Sequence, residues 1–154
     1  MANLKRVPFF VILFLWAGIS SSFAQIASDE QLQGFCDKKN SVACFKIGKK
    51  ALSLDKDKKK ALKYFLMSCD MDHMTACNFA GALTQNKGTN FSPQWKEAKK
   101  LFTKACEAGE DAACFNLGAL YYREGRASRA KKWFKKACDM KNEIACVNLK
   151  KLDK

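Results

Sequence analysis

The chain has 154 residues, with 28 Lys or Arg against 15 Asp or Glu, a single histidine and eight cysteines. That length suits one domain with a sizeable core rather than several. One histidine excludes a histidine-rich zinc site, and a formal charge of +13 can mean nucleic acid, an acidic partner surface or plain solubility.

Met1 to Arg6 carries two positive charges and no negative one, and Val7 to Ile19 is apolar apart from Pro8 and Gly18. Ser22-Phe23-Ala24 then offers small residues at the two positions a signal peptidase reads. Residues 1–24 therefore read as a secretory signal peptide, with the mature chain starting at Gln25. The apolar run falls short of the roughly 20 residues that span a bilayer, so no transmembrane anchor is expected after cleavage. Lys5 and Arg6 leave with the signal and no acid does, so the formal charge falls by two. A secreted or periplasmic protein follows, and export argues against nucleic acid as a partner. Anionic wall polymers or lipids are more plausible partners for so lysine-rich an exported chain, and solvated helix faces are the plainest reading.

Cys36 and Cys44, Cys69 and Cys77, Cys106 and Cys114, and Cys138 and Cys146 are each separated by seven residues. An acid follows each first cysteine (Asp37, Asp70, Glu107, Asp139), where it is expected to serve its own turn. An alanine precedes each second one (Ala43, Ala76, Ala113, Ala145). An even cysteine count in an exported chain reads as a disulfide framework, and the repeat makes pairing within each unit the economical choice. Zinc competes poorly, because its cysteine pairs favour two to four intervening residues. In one continuous helix, residues eight apart would lie about 12 Å apart along the axis. A disulfide needs Cα atoms within about 7 Å. The chain must turn back inside each pair, so each bridge staples the end of one helix to the start of the next.

The first cysteines recur at intervals of 33, 37 and 32 residues, a period that signals stacked helical hairpins. The first leading helix is short, about 28–35, with Ser28 and Gln31 in capping-box spacing. Before the later first cysteines the apolar residues fall four apart on one helix face. They are Ala61, Phe65 and Cys69; Ala98, Phe102 and Cys106; and Ala130, Phe134 and Cys138. Tyr64, Leu101 and Trp133 widen that stripe, and all of these aromatics read as core. The second helices start around the second cysteines. Gly48, Gly81 and Gly118 recur four residues after them and predict close helix–helix approach, because glycine inside a helix costs about 1 kcal/mol against alanine. Lys150 takes that place in the last unit, as expected of a polar end cap. Ser92-Pro93 opens a helix, Gly125 closes one, and Ser128 is placed to cap the next. Asn86 to Ser92 reads as an irregular insertion. The expected fold is all-α, an α/α superhelical solenoid of about four hairpins over 28–56, 57–92, 93–127 and 128–154.

The shared pattern A-x3-F-x3-C-[DE]-x5-A-C-x3-G resembles the Sel1-like repeat, a relative of the tetratricopeptide repeat. The resemblance is strongest in Ala98–Cys106 and Cys114–Tyr122. More closely, the chain resembles the exported bacterial cysteine-rich Sel1-repeat proteins, the Hcp-type family. That resemblance implies a superhelix with one disulfide per repeat. It also implies a label that the residues do not carry, since many members are described as penicillin-binding proteins or β-lactamases.

A serine β-lactamase needs S-x-x-K with S-D-N and K-T-G companions. Ser53–Lys56 and Ser128–Lys131 match the first element and nothing supplies the others, so these four residues are weak catalytic candidates. His73 lies in the turn between Cys69 and Cys77, beside Asp70 and Asp72, where solvent exposure is expected. No carboxylate pair has glycosidase placement and no glycine loop cradles a phosphate. No metal and no cofactor is expected. The favoured reading is a monomeric binding module for a protein or peptide, peptidoglycan-derived peptides included. The alternative is the hydrolysis of penicillin-type β-lactams that the resemblance implies. A third reading is a basic exported effector acting on host or wall components.

Overall fold

The computed structural model describes residues 28–85 and 92–152. The expected signal peptide and nearly all of the Asn86–Ser92 insertion lie outside those residues. Among the described residues there are eight helices: α1 (Asp29–Asp37), α2 (Ser41–Ser53), α3 (Lys58–Asp70), α4 (Met74–Gln85), α5 (Pro93–Glu107), α6 (Asp111–Arg123), α7 (Ala127–Asp139) and α8 (Glu143–Leu152). Each packs against its neighbours in sequence, and α4 also meets α6. The result is the expected solenoid of antiparallel hairpins.

The hairpin turn is built the same way four times. Lys39, Asp72, Gly109 and Lys141 sit at positive φ (63°, 59°, 100° and 71°). On either side of each, the amides of the helix end fold back. In the first turn Lys39 N–H donates to the Cys36 carbonyl and Asn40 N–H to the Phe35 carbonyl, with equivalents in the other three. This double bond pattern is the Schellman motif. The next residue opens the following helix. Asn40 and Asn142 accept the amides of Ala43 and Ala145 at 2.9 Å through side-chain oxygens. His73 does the same for Ala76 through Nδ1. The turn thus fixes seven intervening residues between cysteines, with Glu110 of the third hairpin making no side-chain cap bond, and the four bridges close within hairpins with Cα atoms 4.7–4.8 Å apart.

Caps elsewhere follow the sequence with one exception. Ser28 and Gln31 form the reciprocal capping box of α1. Ser92 accepts the Trp95 amide ahead of Pro93. Ser128, by contrast, lies inside the first turn of α7. The cap position is Arg126, which makes no side-chain cap bond. The chain leaves Gly125 at positive φ with Arg126 N–H donating to the Tyr121 carbonyl, so the turn closes two residues sooner than the serine requires.

Packing between units rests on one repeated contact. The rings of Phe65, Phe102 and Phe134 lie over Gly48, Gly81 and Gly118, where an added Cβ would stand 2.7–2.8 Å from ring carbons. Each glycine sits on an even-numbered helix and each phenylalanine on the odd-numbered helix that follows. Lys150, in the fourth unit, has no such ring partner among the described residues. Ala61, Ala98 and Ala130 are fully buried beside those rings, in a core that runs from Ala51 to Ala145. Trp95, outside the expected stripe, is also fully buried, with the Arg123 guanidinium 4.6 Å from its ring. The Glu124 carboxylate is buried as well and accepts from Lys99 at 2.6 Å, tying α5 to the α6–α7 turn. Two of the acids after the first cysteines bond one turn back along their own helix rather than into the hairpin turn. Asp37 accepts from Gln33 at 2.7 Å, and Asp139 pairs with Lys135 at 2.9 Å.

Candidate functional site

The middle even helices differ in chemistry from the odd helices that flank them. α3, α5 and α7 carry thirteen Lys or Arg between them. α4 has no charged residue, and α6 has only Asp111 and Arg123, at its two ends. Burial does not account for this. Asn78, Phe79, Ala82 and Leu83 on α4, and Phe115, Asn116 and Ala119 on α6, are only half-buried. In a chain that is 28% charged, two adjacent helices present a partly open face that is uncharged between their ends.

Successive even helices meet along that face. The Phe45 ring lies 5.7 Å from Phe79 and stacks 4.4 Å from His73. Asn116 donates from Nδ2 to Asn78 Oδ1 at 2.8 Å. Farther along, a cavity of about 360 Å3 opens between α6, α7 and α8, walled by Phe115, Ala119, Phe134 and Leu152, with Tyr122 and Asn148 beside it. Arg123 and Lys151 stand at this cavity, while Lys46 and Lys49 lie on α2 at the other end of the face. The surface has an apolar and amide-bearing middle with cations at both ends. Amides can bond a peptide main chain as donor and acceptor, and apolar hollows take side chains.

The residues proposed for catalysis do not join this surface. Ser53 is exposed at the end of α2 and donates its hydroxyl to the Lys49 carbonyl at 2.9 Å. Lys56 follows in the loop at positive φ. Ser128 is exposed in the first turn of α7, with Lys131 one turn on. Each S-x-x-K pair lies at a helix terminus, and the two belong to opposite ends of the solenoid. His73 is not the exposed turn residue expected from its position. It is half-buried because its ring stacks on Phe45 while Nδ1 caps α4. The amide row was missed in the sequence, where Asn78, Asn116 and Asn148 look like ordinary surface residues. The signal available was the absence of lysine from α4 and α6.

Helical hairpins stacked in register, each closed by its own disulfide, define a repeat scaffold of the α/α solenoid class. The Sel1 repeat matches residues 41–73, 76–110 and 111–142, and the chain belongs to the Sel1-repeat family. Those stretches open on α2, α4 and α6, so each matched unit joins an even helix to the odd one after it. The disulfides join the same helices in the other phase. No curated protein matches the chain. Among solved structures it is similar to a Sel1 repeat protein from Oxalobacter formigenes, with 23% identity, TM-score 0.64, and coverage of 82% of this chain and 99% of that one. The N-terminal domain of stress-induced protein-1 (STI-1) from C. elegans gives 20%, 0.59, 74% and 94%. Helicobacter pylori cysteine rich protein B gives 23%, 0.56, 79% and 97%. At such identities these likenesses carry the fold.

Proposed function

We propose that the protein is an exported binding module that holds an extended peptide segment along its even helices. The observation that carries this reading is the uncharged, half-open face of α4 and α6 in a strongly basic chain. Solvation alone favours lysine on exposed helix positions, as α3, α5 and α7 show. Leaving it out of two adjacent helices keeps a surface that a partner can dehydrate cheaply. The cations at both ends suit a ligand with acidic flanks, and stem peptides of the cell wall, with their free carboxylates, are one such class. Four disulfides fit an oxidising compartment, and no described helix is long and apolar enough to cross a membrane.

The reading predicts that short peptides with an apolar centre and acidic ends bind the oxidised protein, and that Leu83→Glu and Ala119→Glu each weaken binding by about tenfold or more through an unpaired charge in the face. Fluorescence anisotropy over a peptide set measures it. Peptides that bind both variants as tightly as the parent chain would remove the groove from consideration. Hydrolysis of 6-aminopenicillanic acid tests the enzyme reading directly. The expected result is no turnover, by either the parent protein or a Ser53→Ala, Ser128→Ala double variant. Turnover that vanishes in the variant would establish a serine hydrolase in place of a binding module.

A further inference from the structure

The positive charge is not spread evenly along the solenoid. Residues 93–125 hold five Lys or Arg and five Asp or Glu, whereas residues 126–152 hold nine Lys or Arg against Asp139 and Glu143 alone. Residues 38–63 are likewise basic, with ten Lys against Asp55 and Asp57, so the last hairpin, α7 and α8, is one of two basic stretches flanking a balanced middle.

The repeat register shows which of its residues form the end face. Thr75, two residues before Cys77, reaches forward to bond Glu110 at 2.9 Å. Asn78, one residue after Cys77, reaches forward to Asn116. In α8 those two positions are Ile144 and Val147, and they are 62% and 52% exposed. On the odd helices, Gln33, three residues before Cys36, reaches forward to the Tyr64 hydroxyl at 2.6 Å. In α7 that position is Lys135, with Lys131 one turn earlier on the same ridge. Lys151 lies one turn beyond Val147. By repeat register, the exposed Ile144 and Val147 share this end of the described stack with Lys131, Lys135 and Lys151; Lys135 is also paired to Asp139 of its own helix, and Lys151 also lines the cavity between α6, α7 and α8.

We propose that this end face docks on an anionic lipid surface. Lysine with exposed aliphatic residues is the combination that binds anionic bilayers, the cations drawn by surface potential and the apolar atoms entering the headgroup boundary. An acidic protein would satisfy the charge too, but lysine is depleted at protein interfaces while arginine is enriched. This face uses lysine throughout.

Co-sedimentation with vesicles tests the proposal, comparing phosphatidylcholine alone with phosphatidylcholine mixed with phosphatidylglycerol. The oxidised chain should bind the mixed vesicles and lose that binding as salt rises. Lys131→Glu with Lys135→Glu should weaken it more than about tenfold. Ile144→Ser with Val147→Ser should weaken it several-fold without altering the salt dependence. Lys59→Glu with Lys63→Glu on α3 makes the same charge change elsewhere and should cost no more than about twofold. All variants share residues 1–27, so their differences report the end face, and unfolding midpoints confirm that each is folded. Equal losses from the α3 and end-face pairs would overturn the proposal, as would unchanged binding in the end-face pair. Absence of binding to the mixed vesicles, with end-face capture of soluble polyglutamate instead, would assign the face to an acidic protein.

Discussion

Phe102→Ala is expected to be among the most damaging single substitutions in this chain, costing about 3–5 kcal/mol. The ring is fully buried, and it is the contact by which α5 closes over α4. Removing it opens a cavity in the middle of the stack, where the neighbours on both sides are already held by disulfides and cannot collapse inward. Its partner Gly81 makes the test specific. Glycine inside a helix is ordinarily improved by alanine, by about 0.5–1 kcal/mol. Here a Cβ would stand 2.8 Å from the Phe102 ring, so Gly81→Ala should instead destabilise by about 1–3 kcal/mol through overpacking. With Phe102→Ala already present the clash is gone, and Gly81→Ala should become neutral or stabilising. Urea unfolding of the parent, the two single variants and the double variant supplies the cycle. Additive effects would mean that ring and glycine do not share the contact.

The same contact explains why so much of the fold was legible in the sequence. A period-four stripe ending at a cysteine, with a glycine four residues after the next cysteine, records both halves of one interface, because the ring needs the space the glycine leaves. The disulfide pairing was legible for a related reason. The Schellman turn consumes a fixed number of residues in all four hairpins, so the cysteine spacing carries the turn geometry. Ser128 shows where such reading stops. A serine ahead of an apolar run fits a cap equally well two residues either way, and the positive φ of Gly125 decides the matter. Trp95 escaped because the period-four alignment of the repeats does not reach it, although it stands three and seven residues before Ala98 and Phe102 on the same helix face.

The groove was harder to read than the core. A core announces itself by which residues recur, and the groove by which residue is missing. α4 carries recurrent signals at Cys77 and Gly81, and these draw attention to packing rather than to the outward residues between them. Asn78 and Asn116 also occupy neighbouring, not identical, places after their cysteines, so aligning the repeats does not superimpose them. Only the approach of successive even helices brings the two amides together. The S-x-x-K matches illustrate the opposite error: a short motif survives in sequence although its serine hydroxyl is held by the Lys49 carbonyl.

Removing the Cys106–Cys114 bridge should lower stability more than removing Cys138–Cys146. In the chain-entropy description, closing loops this small contributes roughly 2–3 kcal/mol for each bridge, so loop length predicts equal losses. Position in the stack predicts otherwise. Cys106 and Cys114 are fully buried, in the hairpin that links the fully buried Trp95 and Phe102 of α5 to the Gly118–Phe134 contact. Cys138 and Cys146 are half-buried in the last described hairpin, which touches one neighbouring unit. A solenoid's stability is a sum over units and nearest-neighbour interfaces. Loosening the terminal hairpin therefore forfeits one interface, whereas loosening an internal hairpin weakens two. Alanine pairs are the right substitutions, because serine would place hydroxyls in an apolar site. Cys106→Ala with Cys114→Ala should lower the unfolding midpoint clearly and sharpen or preserve a single transition. Cys138→Ala with Cys146→Ala should leave most of that transition in place and fray α8 first, seen as early hydrogen exchange in α7 and α8. Equal losses from the two pairs, with no early exchange in the last hairpin, would show that the solenoid unfolds as one indivisible unit and that the bridges act only by shortening the unfolded chain.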